Sequence, residues 1–309
     1  MQVNWNGVYP AITTKFHDDG TLDLETFKKN IHVQLEAGIH GIVLGGTLGE
    51  ASTIKNDEKL LLVRTTREMV QDQIPVIMNI AEQSTDEAVD AAALAQENGV
   101  SGLMILPPMR YKADERETLE FFKTIALSTD LPIMIYNNPV DYGIEVTLEM
   151  FDILTDFDNI QSVKDSTRDI TNVTRIINRF GDRFKILCGV DTLALDALLM
   201  GASGWVAGLV CAFPRETVAI YELTLSGRHK EAREIFRWFL PLLELDLSPK
   251  LVQNIKLAEA ATGIGTEHVR KPRLKLEGEE RQRIQNIIDE ALNTRPQILN
   301  ILKNIKQTA

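Results

Sequence analysis

The sequence predicts a (β/α)8 barrel with a C-terminal helical extension. Short apolar segments rich in β-branched residues recur along the chain, and longer stretches with helical periodicity lie between them. Eight such units succeed one another about 20 to 35 residues apart, because each parallel strand needs a crossover helix to return. From Pro214 onward only helical patterns remain, and these supply the last barrel helix and the extension.

The predicted strands and helices alternate along the barrel. The strands are Gly7–Thr13, Gly41–Leu44, Pro75–Ile80, Gly102–Leu106, Pro132–Tyr136, Ile160–Lys164, Phe184–Cys188 and Gly204–Ala207. The helices are Asp23–Ala37, Asp57–Val70, Thr85–Glu97, Arg116–Leu127, Leu148–Leu154, Ile170–Phe180, Thr192–Met200 and Thr217–Leu225. Gly38, Gly99 and Gly201 stand where a left-handed residue ends a helix.

The extension is predicted to pack on the barrel as three helices, His229–Leu243, Lys250–Ala261 and Glu279–Leu292. We therefore assign residues 1–226 to the barrel and 227–309 to the extension. A doubly wound open sheet is the alternative fold. It usually needs a Gly-rich nucleotide turn after its first strand, and the segment from Gly7 to Pro10 is not one.

Composition excludes several classes of function. The 309 residues carry a formal net charge of −11, which argues against nucleic acid as a partner. No apolar run approaches the roughly 20 residues of a membrane span, and the N-terminus lacks a secretion signal, so we expect a cytoplasmic protein with no membrane partner. Cys188 and Cys211 are expected to be small buried hydrophobes. The five histidines show no metal-ligand spacing, so no metal is expected.

Active sites of such barrels lie at the carboxyl ends of the strands, so the loop after each strand is a candidate. Strand two leads into the glycine-rich segment from Gly45 to Glu50, which either brings backbone N–H groups close to an anion or makes a tight turn. A nucleotide P-loop is excluded because the segment contains no Gly-Lys-Ser/Thr.

Strand six places Ile160, Ser162 and Lys164 on one face. A buried lysine at a strand end is unusual, and desolvation lowers its pKa toward that of an amine nucleophile that forms a Schiff base. The alternative is a structural salt bridge to Asp165 or Glu50.

Strand five ends at Tyr136, and Asn137-Asn138-Pro139 come directly after it. Its phenol lies either at the barrel mouth or in the core with its hydroxyl satisfied. Because no histidine comes after these strand ends, Tyr136 is the acid/base candidate, with Thr47 as a hydroxyl relay.

Taken together, these motifs resemble the dihydrodipicolinate synthase / N-acetylneuraminate lyase family over nearly the whole chain. The resemblance is carried by Gly46-Thr47-Leu48-Gly49-Glu50, Tyr136-Asn137-Asn138-Pro139, Lys164 and Gly201-Ala202-Ser203-Gly204. It implies a homotetrameric barrel that needs no cofactor and acts on a small 2-oxo acid or cyclic imino acid.

The resemblance also implies a role for each matching residue. Lys164 would form the Schiff base, Tyr136 would shuttle protons, and Thr47 would hydrogen-bond Tyr136. The backbone amides of Thr47 and Leu48 would hold the substrate carboxylate. The backbones of two further residues, Gly189 and Val206, would line the pocket.

Several residues depart from the family pattern. The lysine-biosynthetic synthases carry an Arg where this chain has Asp141, which would repel the carboxylate of a second substrate. Those synthases also carry a Pro-Tyr-Tyr segment that donates a relay tyrosine to the neighbouring subunit. In this chain the relay tyrosine is either displaced to Tyr111 or missing. Arg110, in the same segment, is an alternative anchor for the substrate carboxylate. Leu48 replaces a hydroxyl residue. Asp191 matches a sugar-hydroxyl contact of the sialic-acid lyases, but Thr192 replaces their next acidic residue.

The leading functional hypothesis is a Schiff-base lyase, specifically a hydroxypyrroline-carboxylate deaminase of hydroxyproline breakdown, which the segment from Lys250 to Gln253 also resembles. One alternative is a 2-keto-3-deoxy sugar-acid dehydratase or aldolase that uses Asp141 and Asp191 on hydroxyls. Another is a 4-hydroxy-tetrahydrodipicolinate synthase, disfavoured by Asp141. The last is a non-catalytic 2-oxo-acid-binding protein, which would not be expected to keep Lys164, Tyr136 and Thr47 together.

Overall fold

Eight parallel strands form the centre of the computed structural model, which describes residues 3–298. They are β1 (Gly7–Pro10), β2 (Ile42–Leu44), β3 (Val76–Ile80), β4 (Gly102–Ile105), β5 (Ile133–Asn137), β6 (Ile160–Asp165), β7 (Lys185–Cys188) and β8 (Gly204–Ala207). Their order is β1-β8-β7-β6-β5-β4-β3-β2. A parallel bridge between Ala11 and Val43 closes the circle from β1 to β2, so the predicted (β/α)8 barrel is confirmed.

Helices alternate with the strands around the outside of the barrel. They are α1 (Leu24–Ala37), α2 (Asn56–Val70), α3 (Thr85–Glu97), α4 (Glu115–Ser128), α5 (Pro139–Tyr142), α6 (Leu148–Leu154), α7 (Thr171–Phe180), α8 (Ala194–Leu199) and α9 (Pro214–Leu225). Because the helices cover the outer face and side chains fill the inner one, nearly every strand residue is buried, as the continuous apolar runs predict.

Two local differences from the predicted elements have physical causes. The predicted strand Gly7–Thr13 ends at Pro10, because the chain turns from β8 to β2 at this point: the Ala11 N–H still donates to Ala207 O, and the Ile12 N–H donates to Val43 O. The four-residue helix α5 was not predicted, since so short a segment has no helical periodicity. Its ends nevertheless carry ordinary signals, an Asn138 N-cap and Gly143 with a φ of 71°.

The extension consists of α10 (His229–Leu243), a 3₁₀ turn (Glu244–Leu247), α11 (Leu251–Ala261) and α12 (Gly278–Asn293). Two fully buried ion pairs join α11 to the barrel: Lys15 Nζ lies 2.7 Å from Glu259 Oε1, and Lys256 Nζ lies 2.5 Å from Glu50 Oε1. The division at residue 226 stays a prediction, and residues 299–309 of the predicted extension lie outside the described range.

Two expectations from composition can be compared with this fold. Cys188 and Cys211 are buried and unbridged, as predicted. Within residues 3–298, no helix combines the length and the apolar character needed to cross a membrane.

Candidate active site

A cavity of about 90 Å³ opens at the carboxyl ends of the strands. Its lining combines strand-end residues with part of the extension: Ala11, Gly46, Thr47, Leu48, Met104, Tyr136, Asn138, Asp141, Tyr142, Lys164, Ser166, Arg168, Gly189, Val190, Val206, Gly208, Asp246, Leu247 and Leu251. A larger cavity of about 380 Å³ lies between α2 and α3 and contains none of the predicted site residues. Chemistry rather than size therefore identifies the candidate site.

Lys164 enters this cavity from β6 and is 7% exposed. The parallel register pairs it with Tyr136 on β5, and its Nζ lies 3.9 Å from the centroid of the Tyr136 ring. Burial lowers the pKa of the Lys164 ammonium, while the neighbouring groups, Tyr142 first among them, act to raise it. Among the ion pairs of residues 3–298, none includes Lys164, because Glu50 is paired with Lys256 instead. The alternative, a structural salt bridge from Lys164 to Asp165 or Glu50, is therefore wrong.

Gly189 lies directly beneath the Lys164 side chain. A Cβ at this position would lie 2.7 Å from Lys164 Cε and 2.2 Å from Ser166 Oγ. Only glycine leaves room for the Lys164 side chain at this position, directly after β7. Gly189 and Val206 both line the cavity, as expected.

The Tyr136 hydroxyl is oriented by Asn138. Asn138 Nδ2 donates to the Tyr136 hydroxyl oxygen at 3.1 Å and to Asp141 Oδ2 at 2.8 Å. Because the Tyr136 oxygen accepts from Asn138, its own proton is free to point elsewhere. Burial raises the pKa of Tyr136, and the hydrogen bond from Asn138 acts to lower it.

Thr47 does not bind Tyr136, contrary to the expectation from the sequence. Its Oγ1 lies 2.9 Å from the hydroxyl of Tyr142, the last residue of α5. The Tyr142 ring meets the Tyr136 ring edge to face, with centroids 5.6 Å apart and an interplanar angle of 90°. The short helix α5 thus brings a second tyrosine to Thr47, which the sequence analysis missed.

The loop after β2 is held from two sides. Asn79 Nδ2 donates to the Gly45 carbonyl at 2.9 Å, and Lys256 binds the Glu50 side chain. A Cβ at Gly49 would lie 3.1 Å from the Gly45 nitrogen, so the loop backbone would have to shift to accept one. Within the described part of the chain, the backbone N–H groups of Thr47 and Leu48 donate no hydrogen bond, which leaves them available to a ligand.

Asp191 lies behind the cavity wall rather than in it. Its buried carboxylate accepts hydrogen bonds from Trp205 Nε1 at 2.9 Å, Gly208 N at 3.0 Å and Leu209 N at 2.8 Å. With its oxygens occupied in this way, Asp191 fixes the end of β8 and does not present an acceptor to a sugar hydroxyl.

Arg110 also lies outside the cavity, in the turn after β4, where its side chain is exposed. Neighbouring Tyr111 is 62% exposed, and its hydroxyl lies 3.2 Å from both carboxylate oxygens of Glu117. The structure therefore does not place Arg110 as the carboxylate anchor of this pocket.

The guanidinium that does line the cavity belongs to Arg168, four residues after Lys164. It lies 3.2 Å from Asp141 Oδ1, so the Asp141 carboxylate bridges Arg168 and Asn138. Ser166, between Lys164 and Arg168, is buried, and its Oγ finds no hydrogen-bond partner in residues 3–298. Ser166 and Arg168 both follow Lys164 within four residues, so their position after strand six was the sequence signal for them.

Asp246 reaches the cavity from the 3₁₀ turn of the extension, together with Leu247 and Leu251. Burial raises the pKa of Asp246, the negative charge of Asp191 raises it further, and Lys164 lowers it. No local signal in the sequence indicates this placement, because it depends on how the extension docks. Among the described residues, no group of three or more His, Cys, Asp or Glu could hold a metal ion.

Comparison with known proteins places this site in a family. The profile of the dihydrodipicolinate synthetase family matches residues 4–291. The 4-hydroxy-tetrahydrodipicolinate synthase of Methanothrix thermoacetophila is 30% identical over 287 residues, covering 92% of this chain and 96% of the relative. That of Bartonella bacilliformis is 32% identical over 287 residues, covering 93% and 96%.

Solved structures agree with the sequence comparison. A dihydrodipicolinate synthase from Bacillus anthracis superimposes with a TM-score of 0.88 at 28% identity, covering 93% of this chain and 99% of the other. The 4-hydroxy-tetrahydrodipicolinate synthase of Methylacidiphilum fumariolicum SolV gives 0.87 at 30% identity, covering 94% and 97%. The resemblance stated from the sequence is confirmed: this chain belongs to the dihydrodipicolinate synthetase family and is a class I lyase of that family.

Proposed function

We propose that Lys164 attacks C2 of a small 2-oxo acid, pyruvate being the simplest, and forms a Schiff base with it. The observation that carries this proposal is the buried Lys164 amine, which lies against the Tyr136 ring and has no carboxylate paired to it in residues 3–298. Since burial lowers the pKa of Lys164, a larger fraction of the amine is neutral and nucleophilic at physiological pH.

The loop after β2 is suited to the carboxylate of that substrate. The free N–H groups of Thr47 and Leu48 provide two backbone donors at the cavity wall. Backbone amides bind a carboxylate without adding a second buried charge beside Lys164.

Tyr136 supplies the proton transfers. When the neutral amine adds to the carbonyl, nitrogen loses a proton and oxygen gains one, giving a carbinolamine. The carbinolamine then takes up one proton and loses water, which leaves the protonated imine. The Tyr136 hydroxyl can donate in both steps because its oxygen already accepts from Asn138.

For the finer assignment, the comparisons favour 4-hydroxy-tetrahydrodipicolinate synthesis, the activity in the names of both relatives above. The seven carbons of that product, less the three of pyruvate, leave a four-carbon amino-acid semialdehyde with a carboxylate. Arg168 lines the cavity and neutralises Asp141, so the repulsion predicted from Asp141 is reduced and a guanidinium is present for this carboxylate.

Deamination of a hydroxypyrroline carboxylate is the second candidate, and a different observation favours it. The unpartnered Ser166 hydroxyl is available to the ring hydroxyl of such a substrate, which has one carboxylate and needs no guanidinium. Its net reaction adds one water and releases one ammonia, giving 2,5-dioxopentanoate. The sugar-acid alternative loses support, because the Asp191 oxygens are occupied.

Borohydride trapping with pyruvate tests the Schiff base. The full-length protein is incubated with pyruvate, reduced, and analysed by intact mass and peptide mapping. We expect a reduced adduct on Lys164 in the parent protein and in Lys185→Ala, a lysine on the neighbouring strand, and none in Lys164→Ala. A parent protein that forms no adduct with pyruvate or other 2-oxo acids would overturn the proposal in favour of a binding protein.

Two assays then separate the finer candidates: pyruvate consumption with the semialdehyde, and ammonia release from the hydroxypyrroline carboxylate. For the synthase, Arg168→Ala should raise KM for the semialdehyde about tenfold or more, the effect of losing a charge-assisted hydrogen bond. The matched Arg110→Ala should change it less than about twofold, since Arg110 lies outside the cavity. Ammonia release without pyruvate consumption decides for the deaminase.

The homotetramer implied by the family resemblance is likewise a proposal. Light scattering on the purified chain tests it, and a mass of one 34.7 kDa subunit would contradict it.

A further inference from the structure

We propose that Tyr142 completes the proton relay within the same subunit by passing protons between Tyr136 and the exposed Thr47 hydroxyl. The inference rests on the proposed Schiff-base function and adds a residue to it. It assigns the second tyrosine of the relay to α5 rather than to the turn after β4.

The contacts of Tyr142 carry the argument. Its hydroxyl lies 2.9 Å from Thr47 Oγ1, and its ring packs at a right angle against Tyr136, the phenol nearest Lys164. Tyr136 is buried whereas Thr47 is exposed, so a proton needed at the imine has to cross from one to the other. Tyr142 lines the same cavity and contacts both residues: its hydroxyl is hydrogen-bonded to Thr47, and a hydrogen bond from Tyr142 acts to lower the pKa of Tyr136.

The segment that carries Tyr136 also fixes Tyr142. Asn138 binds the Tyr136 hydroxyl through Nδ2, and its Oδ1 accepts from the backbone N–H of Asp141 at 3.2 Å, which caps α5. Pro139 starts the helix and Gly143 ends it. One asparagine therefore orients the first tyrosine and holds the helical turn that presents the second.

The relay itself changes no protonation state. For each proton that Tyr136 gives to the reacting oxygen, Tyr142 gives one to Tyr136 and receives one from Thr47, which recovers it from solvent. Atoms and charge balance at every hydroxyl, and no group other than these three side chains and water is required.

Tyr111 is the competing residue; within its own subunit it does not reach the site, so it would have to act in a neighbouring subunit, as the family resemblance implies. It lies outside the cavity, is 62% exposed, and directs its hydroxyl to Glu117.

Tyr142 also influences the nucleophile: burial lowers the pKa of Lys164, and Tyr142 is the strongest of the neighbouring groups that raise it.

The test compares Tyr142→Phe, Thr47→Val and Tyr111→Phe in the full-length protein. The rate at which the pyruvate Schiff base forms is measured by quenching with borohydride at increasing times. We expect Tyr142→Phe and Thr47→Val to slow the reaction about 10²-fold, the usual contribution of a proton-transfer group, with Tyr111→Phe within twofold of the parent. The fraction trapped at equilibrium should stay unchanged, because a relay alters rates and not the stability of the imine.

A double variant sharpens the test. If Tyr142 and Thr47 act in one chain, Tyr142→Phe combined with Thr47→Val should be no slower than either single variant. The proposal is overturned if Tyr142→Phe reacts within twofold of the parent, or if Tyr111→Phe is the slow variant. It is also overturned if Tyr142→Phe lowers the equilibrium fraction trapped along with the rate, since that indicates a structural role. Failure of the parent to trap pyruvate at all refutes the proposed function instead.

Discussion

The pocket has two walls that are built by different physical means. The strand wall consists of the ends of β5, β6 and β7, which carry Tyr136, Lys164 and Gly189. The extension wall consists of the Glu244–Leu247 turn and the start of α11. Parallel register sets the strand wall, since it pairs Tyr136 with Lys164 directly. Buried ion pairs between distant parts of the chain hold the extension wall.

The difference between the walls concerns what each one contributes. The strand wall carries the proposed nucleophile and the phenol beside it, and its backbone hydrogen bonds fix both. The extension wall contributes Asp246 and closes the cavity, and its ion pair with Glu50 also holds the loop whose amides we propose to bind the substrate carboxylate. We therefore expect changes to the strand wall to affect chemistry and changes to the extension wall to affect stability first.

Breaking the extension wall should have the largest effect. Lys256→Met leaves the Glu50 carboxylate buried without its lysine, and such a loss costs about 3–5 kcal/mol of unfolding free energy. Burial lowers the pKa of Lys256 to about 8, so the lysine is charged and the ion pair intact at pH 7. Urea denaturation at pH 7 measures the change.

The matched control is Lys250→Met, which removes a partly exposed lysine from a pair with Glu280 in the same extension. It should cost no more than about 1 kcal/mol. Equal losses in the two variants would contradict the role assigned to the buried pair.

A perturbation of the strand wall should leave the fold intact and slow the chemistry. In Gly189→Ala the new Cβ meets Lys164 Cε at 2.7 Å, so the lysine has to move. A displacement of about 1 Å costs about 10²-fold in rate, which the time course of pyruvate trapping detects. Gly227→Ala is the control: its φ of 75° makes alanine cost some stability there, but a Cβ meets nothing within 4 Å and the residue lies outside the cavity, so the variant should trap at the parent rate. Parent-like trapping by Gly189→Ala would refute the packing argument.

The smallest effect is expected where the two walls meet. Asp246 favours the charged form of Lys164, as do Tyr142, Asp191 and Cys188. Asp246→Asn removes the negative charge that the carboxyl contributes when ionised, so the pKa of Lys164 should fall further and the pH profile of the trapping rate should shift to lower pH. Glu244→Gln, an exposed residue of the same turn, should leave the profile in place. A shift to higher pH in Asp246→Asn would contradict this direction of the pKa change.

The contrast between the walls also explains what the sequence could predict. All eight strands were found, because residues buried on both faces leave continuous apolar runs. Lys164 and Tyr136 were predicted from the strand ends. The Thr47 partner was wrong because α5, which carries Tyr142, is a single turn without periodicity. Asp246 was missed because its position depends on the docking of the extension.

Asp191 and Arg110 show a different limit. Asp191 was assigned by matching it to a family position, and Arg110 was assigned where the chain departs from the family pattern. Both side chains lie elsewhere: Asp191 caps the end of β8, and Arg110 is exposed beyond the cavity. Position in a motif does not determine where an oxygen or a guanidinium points. Arg168 lies within reach of the pocket through a left-handed backbone, with a φ of 61°, which no pattern signalled.

The pair between Glu50 and Lys256 spans 206 positions of the chain and has a consequence for biosynthesis. During translation the strands and Lys164 leave the ribosome well before α11 does. Until α11 arrives, the loop after β2 lacks its anchor at Glu50 and the cavity lacks one side. A nascent or prematurely terminated barrel therefore carries Lys164 outside its finished surroundings, where the amine is hydrated and largely protonated. On the proposed function, we expect reactivity toward 2-oxo acids to begin only once α11 has docked.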